Sequence, residues 1–167
     1  MLKKNKIQNF IFLSCLALVL QACGAGRTLV LDPVKPFSNS GGINIHSAQS
    51  TAEAPEELQA TFEKLLREKL YKENNVKEGP ETTLSYRFIQ VDEGSRFKRW
   101  FLGGLGNSGE GTLTIEVTYL DKDGRAIGKI QAEGKIGSGM FGGSFDHAME
   151  TSVEKIVEYT LKTCNPK

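Results

Sequence analysis

Between residues 112 and 119 the chain alternates without a break: Leu113, Ile115, Val117 and Tyr119 are apolar, and Thr112, Thr114, Glu116 and Thr118 between them are polar. Successive side chains of a strand point to opposite faces, so this pattern calls for a β-strand with one buried and one solvated face. Asp123-Gly124 follows and supplies the turn residues of a hairpin. The chain then returns over residues 126–136, a more polar run containing Gly128 and Gly134, as expected of an edge or solvent-facing strand. Upstream, residues 83–91 (TLSYRFIQV) are rich in aromatic and β-branched residues and put Leu84, Tyr86 and Phe88 on one face. Three strands sharing an apolar face need a cover.

Two helices are expected to provide it. Pro55 followed by Glu56 and Glu57 suits a helix start, because proline is tolerated at the first position and acids favour the positive end of the helix dipole. Leu58, Phe62, Leu65, Leu66 and Leu70 then recur at helical spacing, with Glu63, Lys64, Arg67 and Glu68 on the other side. Asn74, Asn75, Gly79 and Pro80 end the segment. A last helix is expected from Ser144, a good N-cap with Asp146 in the first turn, to about residue 161, with Met149, Val153, Ile156 and Val157 as its buried stripe. Nearer the N-terminus, RTLVLD (Arg27–Asp32) has the content of a first strand, and residues 43–45 of a second short one; Pro33, Pro36 and residues 38–42 mark a loop between them. A competing reading makes residues 24–54 a long disordered spacer. The expected fold class is α+β: a small, mostly antiparallel β-sheet with two helices packed on one face.

The first 22 residues stand apart. Lys3, Lys4 and Lys6, with no acid among them, precede an apolar run from residue 10 to residue 20, which is the order of a secretory signal. The run is too short for a bilayer-spanning helix, which needs about 20 apolar residues. Its end, Leu20-Gln21-Ala22-Cys23, resembles the lipobox of bacterial lipoproteins. The resemblance implies cleavage after Ala22, a diacylglyceryl thioether on Cys23 and acylation, commonly with palmitate, of the new amine. An ordinary signal peptide cut after Ala22 or Ala25 is the alternative. Of the three cysteines, Cys15 would leave with the signal, so Cys23 could otherwise pair only with Cys164. Two or more acyl chains anchor stably where one is marginal, each buried methylene contributing about 0.8 kcal/mol.

On this reading the chain divides into a signal peptide (1–22), a lipidated tether (23–26) and one envelope domain (27–167). Removing the signal takes three lysines and no acid from a chain with 21 basic and 20 acidic residues, leaving a slight negative excess. No basic surplus points to nucleic acid, and export removes that partner as well. By the same resemblance, Gly24 in place of an aspartate after Cys23 favours the outer membrane, on its periplasmic face. The tether Gly24-Ala25-Gly26 spans only about 10 Å at full extension.

The chemical motifs are few. G-x-G-x-x-G patterns occur at Gly104-Gly106-Gly109 and Gly137-Gly139-Gly142, but the first leads into a strand and the second has no parallel strand with an acid after it, so neither is a dinucleotide fingerprint. Gly142, Gly143 and Ser144 leave the first amides of a helix uncovered, a place where an anion can bind; Asp146 puts a competing negative charge there. In residues 96–102 (RFKRWFL), basic and aromatic residues interleave around the sole Trp. Arg99, Trp100 and Phe101 are therefore the candidate contact with a partner or with lipid headgroups; the alternative is a strand whose Phe97 or Trp100 is core. No catalytic set emerges. His46 and His147 are isolated, Ser138 and Ser144 lack the flanks of a nucleophile elbow, Cys164 is a lone thiol, metal-ligand spacing is absent, and no cofactor is expected.

From Trp100 to Tyr159 the chain resembles the domain of unknown function 4410 family of bacterial envelope lipoproteins. The residues that carry the likeness are Gly103-Gly104 to Gly111 leading into LTIEVTYLD, the DG hairpin, and Gly142-Gly143-Ser144-Phe145-Asp146 before a helix ending IVEY. The resemblance implies a single envelope domain with a lipidated N-terminus. The family has no assigned reaction, so no functional residue is carried over. The expected function is that of a membrane-anchored, non-enzymatic lipoprotein binding another envelope protein or polymer at the membrane surface. The alternative is a periplasmic enzyme or small-ligand carrier. A pocket with convergent polar groups would favour the carrier; an exposed apolar patch or open strand edge would favour the interaction module.

Overall fold

The computed structural model describes residues 26–38, 40–91, 111–136 and 145–164. The alternating segment is the middle strand of a five-stranded sheet. In chain order the strands are β1 (Arg27–Asp32), β2 (Ile43–Ser47), β3 (Thr82–Val91), β4 (Gly111–Asp121) and β5 (Ala126–Ile136), and in space they run β1-β5-β4-β3-β2. All neighbours are antiparallel except β2 and β3, which are parallel. Helix α1 (Glu56–Arg67) continues as a π-helical segment (Glu68–Glu73), and α2 (Phe145–Cys164) closes the described chain. The α+β class, the mostly antiparallel sheet and the two helices are therefore as the residue pattern requires.

Register explains the core. Tyr86 lies opposite Val117, Phe88 opposite Ile115 and Leu84 opposite Tyr119, while Ile130 and Ala132 of β5 face Val117 and Ile115 from the other side. All of these are buried. Over them α1 lays Phe62, whose ring sits 5.0 Å from Tyr86 and 5.4 Å from Phe88, centre to centre. Helix α2 covers the other half of the same face with Met149, Val153, Ile156 and Val157. Thr160 Oγ1 donates to the Ile156 carbonyl, so Tyr119 Oη donates to Thr160 at 2.7 Å. The buried phenol thus keeps a partner. Lys69 lies 3.5 to 3.8 Å from Glu73, Glu150 and Glu154 and ties the π-helical segment to α2.

One expectation is corrected. β5 is not an edge strand; it lies between β1 and β4. Its glycines mark close approach instead of exposure. A Cβ on Gly134 would collide with the Ala148 carbonyl and the Ser152 hydroxyl of α2, and one on Gly128 with the Val34 backbone. A glycine in a strand says that something comes near, and here it is the chain's own helix and loop.

The opposite sheet face is polar but not bare of structure. Arg27 makes a two-pronged bond to Glu133 at 2.6 and 3.0 Å. Glu116 takes Arg87 at 2.6 Å and Lys129 at 3.3 Å. Burial pushes the Glu116 carboxyl up, but the Arg87 hydrogen bond and the Lys129 charge outweigh it and hold it below the ordinary carboxylate range.

Candidate functional site

The site is built around the start of β1. Gly26 is already packed into the domain: a Cβ there would stand 2.5 Å from the Glu133 carbonyl oxygen and 2.6 Å from Thr151 Cγ2. No slack chain separates it from β1. Arg27 pairs with Glu133, Gly111 with Ile136 and Val91 with Leu113, so these strand ends lie together at one end of the sheet. The Asp123-Gly124 turn is at the other, about 30 Å away at the rise of an extended chain.

Several residues singled out from the sequence lie outside the described residues: Ala22 and Cys23, the trio Arg99, Trp100 and Phe101, and the triplet Gly142, Gly143 and Ser144. The residues that bracket them are described. Val91 and Gly111 flank the segment holding Trp100, Ile136 and Phe145 flank the glycine triplet, and both pairs sit at the end of the sheet where Gly26 enters. Topology thus roots at one place three stretches that are far apart in sequence.

The two sheet edges differ. On the outer side of β2 the Ile43 N–H donates to the Lys77 carbonyl at 2.9 Å, and the Ile43 carbonyl accepts from Gly79 N–H at 3.3 Å and from Tyr71 Oη at 2.9 Å. Arg67 adds a bond to the Ile45 carbonyl at 3.4 Å. On the outer side of β1 no strand pairs among the described residues, and Leu29, Val30 and Leu31 are 37, 49 and 50% exposed. They are the large apolar side chains left in solvent among the described residues. The sequence reading took RTLVLD as a first strand without recognising it as an open apolar edge. The available signal was the apolar run Leu29-Val30-Leu31, whose side chains cannot all face the core of a strand with alternating faces.

The alternatives have less to offer chemically. A concavity of about 580 Å³ runs along the outer side of α1. Two of its lining groups, Arg67 and Glu63, are tied into the fold: Arg67 binds Glu63 at 2.8 Å and Glu78 at 2.9 Å, and Tyr86 Oη donates to Glu63 at 3.0 Å. Burial pushes the Tyr71 and Tyr86 phenols up to about 12, so both stay neutral donors. His46 and His147 are both exposed and far apart in the fold, one on β2 and one on α2. Cys164 is buried, and burial pushes its thiol up, away from a reactive thiolate. Among the described residues no cluster could hold a metal, and no helix is long and apolar enough to cross a membrane.

Comparison with known proteins follows this geometry. No curated protein sequence matches the chain. Two solved structures of PelC from Paraburkholderia phytofirmans, described as dodecamers, are similar in fold at 12% identity. The first, of a point variant, has a TM-score of 0.55 and covers 84% of this chain and 100% of that one; the second has 0.48, with 86% and 99%. At that identity the first likeness supports the fold alone. A family model described as a domain of unknown function (DUF4410) matches residues 38–139. The match starts far ahead of Trp100 and stops before α2, so the likeness extends over β2, α1 and β3, beyond the residues that first suggested it. The chain belongs to the domain of unknown function 4410 family.

Proposed function

We propose that this chain is a non-enzymatic lipoprotein, held to a membrane by lipid on Cys23, whose domain binds another envelope component at the membrane surface. The observation that carries the reading is the seating of Gly26 in the fold, three residues after Cys23. A lipid at Cys23 then holds the domain within about 10 Å of the bilayer, and the chain has no length to present its binding surface elsewhere. The open apolar edge of β1 supports an interaction role, because exposed strand edges are places where another chain adds on. The segment holding Arg99, Trp100 and Phe101 is rooted at the same end of the sheet, which favours a contact made close to the tether. Gly24 favours the outer membrane, on its periplasmic face.

Labelling cells with a radioactive fatty acid tests the anchor. The wild type takes up label and Cys23→Ser does not; equal labelling of the two contradicts the anchor. A photo-crosslinker at position 100, in intact cells, then tests the partner. An envelope protein or polymer should be captured, and capture of lipid alone would count against the binding role.

A further inference from the structure

The exposed strand is complementary to itself. It reads Arg27-Thr28-Leu29-Val30-Leu31-Asp32, with a cation at one end, an anion at the other and apolar residues between. Thr28 and Val30 lie opposite Ala132 and Ile130, on the helix-covered face, whereas Arg27 and Leu29 lie opposite Glu133 and Gln131, on the polar face. The register shifts between Val30 and Asp32, and this irregularity brings Asp32 opposite Lys129, also on the polar face. Turning a second copy about a two-fold axis through Leu29 therefore sets Leu29 against Leu29 and Thr28 against Val30, each on its proper face. Arg27 of one copy comes against Leu31 and Asp32 of the other. Opposite charges meet at both ends, and apolar side chains meet in the middle.

We infer that β1 pairs antiparallel with β1 of a second copy of this chain, joining two five-stranded sheets into one of ten strands. The other edge says why the assembly should stop there. A head-to-tail stack needs β1 to pair with β2, but the outward N–H and carbonyl of Ile43 are already bonded to residues 77–79 and Tyr71, and the Ile45 carbonyl to Arg67. With β2 closed, an isologous β1 contact remains, and an isologous contact closes at two. Two copies paired in this register have their Arg27 Cα atoms about 13 Å apart along the strands, four residues of extended chain. That spacing leaves both tethers able to reach one membrane.

Cysteine crosslinking tests the pairing on the full-length protein in its own membranes. Directly opposed Cβ atoms in an antiparallel pair lie about 4.5 to 5.5 Å apart, close to disulfide range. Leu29→Cys should therefore give an oxidised homodimer. Ser47→Cys, exposed on the closed edge, should give no more than the parent chain, whose Cys164 is buried. Because any single cysteine variant can be weakened in folding, a second measurement uses two differently tagged copies. Leu29→Arg places like charges on the two-fold axis and should lower co-purification about tenfold, a change of the size expected when one favourable contact is exchanged for a repulsive one. The inference is overturned if Leu29→Cys yields no more dimer than Ser47→Cys, if its crosslinked band contains a different protein, or if Leu29→Arg copies co-purify undiminished. The pairing needs no lipid on Cys23, so fatty-acid labelling of the same samples separates a failure of the anchor from a failure of the contact.

Discussion

The two edges of this sheet solve the same physical problem in opposite ways. A terminal strand leaves backbone donors and acceptors without a neighbour. At β2 the fold supplies them, with Tyr71 and Arg67 reaching from α1 and its π-helical extension, and residues 77–79 running alongside. At β1 no strand pairs on the outer side among the described residues, and Leu29, Val30 and Leu31 are left in solvent. The closed edge is bonded to α1 and its π-helical extension, and the open edge is the strand that follows Gly26. At β1 the sheet keeps an exposed apolar surface that a monomer in water has no reason to keep.

That contrast sets an order of effects. The largest should come from the closed edge: Ile45, only 4% exposed and part of the core, should lose about 2 to 4 kcal/mol of stability on replacement by Ala, measured by denaturant unfolding. Alkaline pH should come next. The Tyr71 and Tyr86 phenols are raised to about 12 in the folded state, so their neutral forms contribute stability that is complete below the ordinary tyrosine pKa near 10 and lost as pH climbs through 12. Hydrogen exchange of the peptide covering β2 should accelerate across that window ahead of β1, which among the described residues has no tyrosine bonded to it. Replacing Tyr71 with Phe removes one of two bonds to the Ile43 carbonyl and should cost about 1 kcal/mol. The smallest effect should come from Leu31→Ala on the open edge, within about 0.5 kcal/mol in the isolated protein. If Ile45→Ala and Leu31→Ala cost the same, the edges do not differ as described.

Acid provides a control that should not discriminate between the edges. Glu116, in the middle of the sheet, has its carboxyl held below the ordinary range by Arg87 and Lys129 despite burial. Its contribution is present above the unfolded carboxylate pKa and is lost as pH falls through the lower folded one. Arg87→Ala should move the acid unfolding midpoint upward while leaving exchange at β1 and β2 in the same order.

Most of the fold was legible because its segments announce their own periods. The alternation over Leu113 to Tyr119 and the helical spacing of Leu58, Phe62, Leu66 and Leu70 reflect burial on one face, and burial on one face is what a sheet and its covering helices impose. The misreading of β5 has an equally local cause. Gly128 and Gly134 look like the marks of a weak edge, yet they are spaces for Val34 and Ala148, and a sequence does not say which distant residue will fill a space. The site was less legible for the same reason. Nothing within RTLVLD tells whether its outer side is paired, since the answer depends on a β5 neighbour about a hundred residues away and on whether another strand lies beyond, and none does among the described residues. Cys23 and the segment around Trp100 were singled out by their chemistry, but that the described residues next to them, Arg27 and Val91, lie at one end of the sheet follows from strand register alone, through Arg27 opposite Glu133 and Val91 opposite Leu113.

Hydrogen exchange on peptides covering residues 27–32 and 43–47, compared between dilute detergent-dispersed protein and protein in its membrane, tests the central claim most directly. Fast exchange at β1 and slow exchange at β2 are expected in the dispersed protein, with β1 alone slowing on the membrane. Exchange at β1 as slow as at β2 when dispersed, or unchanged by the membrane, would contradict that claim.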